Sequence, residues 1–329
     1  MSIKNWNAGI IRPVAVAPAG PFQDSAASGV WTLEQVAYWQ KQGLWPTPGN
    51  VAAIGLAAGG SVSNVINRMV IPTTGNATDF GDLSANREAA GSCASSVRGI
   101  FGGGYGGVRL QSIDYVTIAT LGNAVNFGNL LAANSSLTAL SNSTRGVFGG
   151  GFIGADTNVL QYITIATTGN AIDFGDAPLT FNYGGGCASP TRGIFQTGNR
   201  NNYIYITIAT TGNGTNFGNL AVNRSAGAMC SSSTRGLFGG GGSYSNVIEY
   251  ITIASTGNGT DFGDLTLARD GLAASSSEIR AVFSGGTTPT ASNVMDYVTI
   301  ASTGNAVDFG DLTVSKGYLS GCSSGHGGL

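Results

Sequence analysis

Charge is scarce in this chain. Only 10% of its 329 residues are charged, 15 Lys and Arg against 17 Asp and Glu, for a formal net charge of −2. A nucleic-acid partner requires a basic surface that neutralises phosphates, so that class is excluded. Histidine occurs once, at His326. A single imidazole argues against a zinc or copper centre, and no metal or other cofactor is expected. No apolar run reaches the length of a membrane-spanning helix. The opening stretch, MSIKNWNAGIIRPVAVAPAG, is interrupted by prolines and lacks the apolar block of a secretory leader. Cysteine occurs four times, at Cys93, Cys187, Cys230 and Cys322.

What the chain has instead is glycine, 53 residues of it, together with 42% hydrophobic residues. That apolar share sets it apart from disordered chains. Short Val/Ile/Tyr/Phe runs between Gly, Ser, Thr and Asn point to an all-β protein with many turns.

The stretch ITIATTGNAIDFGD (163–176) contains Asp-Phe-Gly, which in a kinase would hold magnesium. The motif recurs six times, with turn glycines Gly75, Gly122, Gly169, Gly212, Gly257 and Gly304, separated by 47, 47, 43, 45 and 47 residues. A catalytic aspartate is needed once, and six near-periodic copies are architecture. The chain also lacks the glycine-rich phosphate loop, strand lysine and His-Arg-Asp that a kinase requires. Asp-box repeats of the sialidase type are absent as well, so no enzyme is expected.

Each repeat reads as four short strands. In residues 98–144, RGIFGGG is an apolar strand ending in glycines, and SIDYVTIAT alternates as a half-buried strand. LGN reads as a tight hairpin turn with glycine supplying positive φ. AVNFGNL follows with Phe127 and Leu130 as anchors, and ALSNST is a small-residue strand. Four-stranded repeats of about 45 residues are the signature of propeller blades. The double glycine, the Tyr-bearing strand and the outer aromatic, clearest in LFGGGGSYSNVIEYITIASTGNGTDFGDL (237–265), resemble the kelch repeat. Phe262 stands where kelch repeats usually carry tryptophan. The expected fold is a six-bladed kelch-like β-propeller over residues 51–329. The first repeat lacks a leading strand and the last ends in one, KGYLSGCSSG (316–325), so the C-terminal strand is expected to complete the first blade.

Up-and-down strands sort the connections onto two faces. The TTGN and STRG turns share a nearly constant face. The glycine loops and blade-to-blade links share a variable face, which reads as a binding face or as unconstrained drift. Tyr105, Arg109, Phe152, Tyr183, Arg200, Tyr203 and Tyr244 are its candidate binding residues, suited to glycan or protein surfaces. On the constant face, Asp79, Asp82, Asp173 and Asp176 and their equivalents could bind calcium. Asn at both positions in two repeats favours turn capping and pairing with the repeat arginines Arg98, Arg145, Arg192, Arg235 and Arg280. The first three cysteines share a repeat position with Leu140 and Ser275, which marks a small core site rather than a metal ligand.

Residues 1–50 carry no repeat. GVWTLEQVAYWQKQGLWP (29–46) reads as one short helix over about 32–42, with Thr32 and Gln35 as a capping box. Trp31, Leu33, Val36, Trp39 and Trp45 are its candidate docking residues. This stretch is similar to one near the N-terminus of virion proteins of tailed phages, notably of marine and cyanobacterial hosts. The resemblance implies a structural virion protein, present in several copies, held to tail or capsid proteins by residues 1–50. Its propeller would then face outward toward host surface glycans. The alternative is a cellular kelch-type interaction module.

Overall fold

The computed structural model describes Thr32, Glu34, Gln35 and residues 52–329. The chain divides into two units, Met1–Ala53 and Ile54–Leu329. In the first, Gln35 N donates to Thr32 Oγ1 (3.2 Å) and Thr32 N donates to Gln35 Oε1 (2.9 Å), the reciprocal pair of a capping box. Glu34 and Gln35 are helical. Trp31, Leu33, Val36, Trp39 and Trp45 lie outside the described residues.

The second unit is a six-bladed β-propeller of four-stranded antiparallel blades. Blade 2 shows the plan: Gly91–Ala94 innermost, then Arg98–Gly102, Ser112–Thr117, and Val125–Asn129 outermost. Blades 3 to 6 repeat it over 138–181, 185–219, 228–264 and 273–311. Blade 1 takes Ile54–Ala58, Ser63–Val70 and Thr78–Arg87 from one end of the chain and Ser320–Ser323 from the other. The closing register runs Gly55↔Ser323 to Ala58↔Ser320. The expected C-terminal clasp is therefore present.

The Asp-Phe-Gly motif now has a mechanical explanation. Each outermost strand carries a register shift at this point, as between Ile113 and Asp114 opposite Phe127 in blade 2. A bulge re-aims a side chain. Here it turns the phenylalanine into the core, where Phe127 and Phe174 are buried. In blade 2 Phe127 meets Tyr115 edge-on at 5.9 Å, and the Arg98 guanidinium lies 4.6 Å over Tyr115. The same Arg–Tyr–Phe stack recurs in blades 3 to 6.

Two expectations for the constant face are corrected. The TGN segment is not a tight hairpin. In blade 2 it belongs to the seven residues 118–124, and it lies extended along the outermost strand of blade 1. Gly122 N donates to Phe80 O (2.9 Å), Ala124 N to Asp82 O (2.7 Å), and Asn123 Oδ1 accepts from Asp82 N (3.0 Å). The asparagine bond repeats at all six seams and closes the ring through Asn76 and Asp311. The capping side chain is thus the turn asparagine, not the Asp of the strand.

The arginines do not meet those carboxylates either. Arg98 Nη1 donates to Ile165 O and Ala166 O of the next blade, both at 3.0 Å. Arg145, Arg192, Arg235 and Arg280 reach the corresponding carbonyls. These groups tie blades together.

All four cysteines are free and buried. Cys93, Cys187 and Cys322 pack on the next blade's strand glycine: a Cβ on Gly99 would sit 3.3 Å from Cys322 Sγ. Burial pushes the Cys230 and Cys322 thiols up to about 12. Thiolates are the reactive form, so these groups are inert packing.

Candidate functional site

The variable face is built from six blade-to-blade links and six glycine loops. Each link turns sharply into an innermost strand at one residue with positive φ: Ala89 (50°), Ser136 (56°), Tyr183 (50°), Ala226 (55°), Gly271 (59°) and Tyr318 (58°). Left-handed backbone disfavours an L-residue by about 1–2 kcal/mol. The compensation is visible. Each of these residues donates its N–H to the C=O of its counterpart in the preceding link, at 2.6–2.9 Å, and the six bonds close a ring around the propeller axis. A bond of this kind contributes about 1 kcal/mol, so ring and strain roughly balance.

Below the ring is an axial cavity of about 110 Å³, reaching from Tyr183 and Tyr318 down to Ser92, Thr138, Met229 and Ala274. On the constant face the C-terminal tail closes the channel. His326 Nε2 bonds Ala94 O (2.9 Å), and Gly328 N donates to His326 Nδ1 (3.1 Å). An imidazole that accepts at Nδ1 is neutral, and burial holds its pKa below the usual value.

Tyr183 and Tyr318 stand three steps apart in the six-residue ring, on opposite sides of the mouth. Their side chains nevertheless meet, with ring centroids 5.9 Å apart at 63°. Burial raises the Tyr318 hydroxyl pKa first, and the charges of Asp270, Tyr183, Tyr244 and Glu88 raise it further.

The predicted binding residues divide. Tyr105, Tyr183 and Tyr244 are exposed, at 40%, 37% and 42%. Tyr105 pairs its backbone with Glu88 and with Arg109. Arg109 lies 5.3 Å over the half-buried Phe152, which links the loops of blades 2 and 3. Arg200 is exposed, its carbonyl accepting from Gln196 Nε2 (2.8 Å). Tyr203 does not belong to this face, which corrects the expectation. It is 1% exposed and packs beside Phe217 within the core. Blade 4 carries it where blades 2 and 3 carry Ile113 and Leu160, so its ring is a core residue and not a loop aromatic.

Tyr318, Asp270 and Glu88 were missed. One signal could have found the ring: its members all fall fourteen residues after a turn glycine, from Gly75 to Ala89 through Gly304 to Tyr318. Sequence varies there, but spacing does not.

A second set of residues was also missed. At three of the six seams a charged side chain of one blade meets an opposite charge in the next. Buried ion pairs join Arg87 to Asp114 (2.8 Å), Arg224 to Glu249 (2.7 Å) and Arg269 to Asp296 (2.6 Å). Asn134 and Gln161, and Lys316 and Asn67, take these places with neutral partners or hydrogen bonds. The seam between blades 3 and 4 is apolar, Phe181 against Ile204. Where Asp114 or Glu249 accepts from a backbone N–H of Ser84 or Ala221, Ile204 faces Pro178, which has none.

The fold defines a β-propeller with one face locked by repeated staples and one face of divergent loops, an architecture suited to protein interaction. No family model and no curated protein matches this chain.

Proposed function

We propose that the chain is a non-enzymatic virion protein of a tailed phage, with the variable face of its propeller as the recognition surface. One observation carries the choice of face. Among the described residues the exposed aromatics are Tyr105, Tyr183 and Tyr244, and all three lie on it. Val62, Val108 and Ile153 are exposed beside them. The constant motifs cannot compete as a site, since their arginines and asparagines are already bonded to the neighbouring blade. Tyrosine presents apolar area with a polar tip, which suits glycan and protein surfaces. Several copies on one particle would make weak individual contacts sufficient. Residues 1–50 supply the attachment to tail or capsid, on the strength of the resemblance of residues 29–46. The runner-up, a cellular interaction module, shares the face and differs in location.

Two measurements test this reading. Purified phage particles should contain the chain by mass spectrometry, and its absence from particles would transfer the proposal to the cellular alternative. On an array of host-surface glycans and proteins, the full chain should bind, and a Tyr105→Ala, Tyr244→Ala double variant should bind at least about tenfold more weakly, since exposed aromatic contacts contribute about 1 kcal/mol or more each. Equal binding by the variant would remove the variable face from the argument.

A further inference from the structure

Left-handed backbone suits glycine, as at Gly271, yet two of the six ring positions carry tyrosine, Tyr183 (φ 50°) and Tyr318 (φ 58°). Strain of this kind is retained where the side chain has a task. The two tyrosines come from opposite sides of the axis. Among the described residues they are the one pair of tyrosines whose rings meet, with centroids 5.9 Å apart at 63°. The blade tyrosines Tyr115, Tyr162, Tyr205, Tyr250 and Tyr297 each meet a phenylalanine instead. Both backbones are fixed. Tyr183 N donates to Ser136 O (2.8 Å) and Tyr318 N to Gly271 O (2.6 Å), while their carbonyls accept from Ala226 N and Ala89 N, both at 2.9 Å. Tyr183 is 37% exposed and Tyr318 is half-buried, so the pair is open to solvent.

Position gives this contact a use. Tyr318 lies two residues before Ser320–Ser323, the closing strand of blade 1, and Tyr183 lies two residues before Gly185–Ala188, the innermost strand of blade 4. The ring closes through strand pairing, and its four cysteines are free. We infer that Tyr183 and Tyr318 form an oxidative cross-link site, at which a peroxide joins the two rings as dityrosine and makes the closure covalent. Each phenol gives up one electron and its hydroxyl proton. The two phenoxyl radicals couple at their ortho carbons, and the hydrogens on those carbons move to the oxygens, restoring both phenols. Hydrogen peroxide takes up the two electrons and two protons and leaves as two waters. Because the ring of bonds holds the tyrosines in contact, coupling within the chain outruns coupling between chains. This chemistry is independent of what the variable face recognises.

The test is treatment of the dilute full chain with hydrogen peroxide and a small haem peptide as catalyst. The expected product is a monomer with the fluorescence of a biphenol, whose digest yields one linked pair of peptides, containing Tyr183 and Tyr318 and lighter by two hydrogens than their sum. Tyr183→Phe and Tyr318→Phe keep the ring and its packing but lack the hydroxyl, and each should lose the product. Tyr105→Phe and Tyr244→Phe should retain it. The link closes a loop of more than about 100 residues, so the product should unfold about 5–10 °C above the identically treated Tyr318→Phe chain. A full chain that gives no linked monomer overturns the inference, and that result needs no variant to fold. A linkage that survives in Tyr318→Phe overturns the assignment of the pair, and an unchanged unfolding midpoint overturns its role in closing the ring.

Discussion

Replacing Asp114 by Ile should be among the most damaging single changes in the propeller, and Arg87→Phe should rescue it. Asp114 is fully buried. Its carboxylate accepts from Arg87 Nη2 (2.8 Å), Ser84 N (3.0 Å) and Ser84 Oγ (2.7 Å), all in the preceding blade. The isoleucine leaves the guanidinium of Arg87, itself 0% exposed, without its counter-charge. Arg87 retains only the carbonyls of Gly103 and Ser112 and the Ser112 hydroxyl as close partners. An uncompensated buried charge destabilises by about 3–5 kcal/mol. The double variant reproduces the Phe181–Ile204 pair that already serves the seam between blades 3 and 4. It should recover about 2–3 kcal/mol relative to the sum of the single changes. Adding Ser84→Pro, as at Pro178, should recover more by deleting the orphaned N–H. Urea denaturation of the four members of the cycle, with slopes compared, measures the coupling. Additive single and double effects, or an Asp114→Ile loss below about 1 kcal/mol, would refute the matched-seam argument.

Two glycines of the repeated motif should respond in opposite ways. A Cβ on Gly218 would collide with the Gly257 carbonyl of the next blade, whereas one on Gly257 meets nothing within 4 Å. Gly218→Ala should cost about 1–3 kcal/mol and Gly257→Ala well under 1, by thermal or urea unfolding. Removing 320–329 should lower the unfolding temperature sharply, because blade 1 loses its innermost strand, with four paired residues and the buried Cys322 side chain. An unchanged midpoint would sink the clasp. Stability should also fall with acid through His326. Its folded-state pKa lies below the ordinary 6.5, chiefly from burial, with the Ala94 carbonyl and Glu278 opposing. The unfolded chain therefore binds the proton more readily, and this contribution is complete above about pH 6.5 and lost as pH falls below it, at no more than about 1.4 kcal/mol per pH unit. His326→Gln should flatten that slope.

Much of this fold was legible without coordinates. Six copies of one motif at a steady period specify repetition, four short apolar runs per copy specify the blade, and the complementary gaps at 51–60 and 316–325 specify the closure. Local patterns sufficed because each strand is a short apolar or small-residue run bounded by glycine or polar turns, as in Arg98–Gly102 and Thr138–Ser141. The capping box of Thr32 and Gln35 was legible for the same reason, its partners being three residues apart.

What crosses a seam was not legible. Asn123 bonds a residue 41 positions earlier, Arg98 a carbonyl 67 positions later, and Arg87 an aspartate 27 positions later. Within the chain nothing marks these as partners, so the Asp of Asp-Phe-Gly reads as the cap although its neighbour's asparagine does the capping. Tyr203 and Tyr183 look alike in sequence, yet one fills the core and the other meets Tyr318 at the axis. The sequence by itself determined the blade, because short apolar runs and the glycine and polar breaks between them act over a few residues. Only the tertiary structure decided which side chains join one blade to the next and which converge on the axis, because ring closure brings together groups that no local pattern relates.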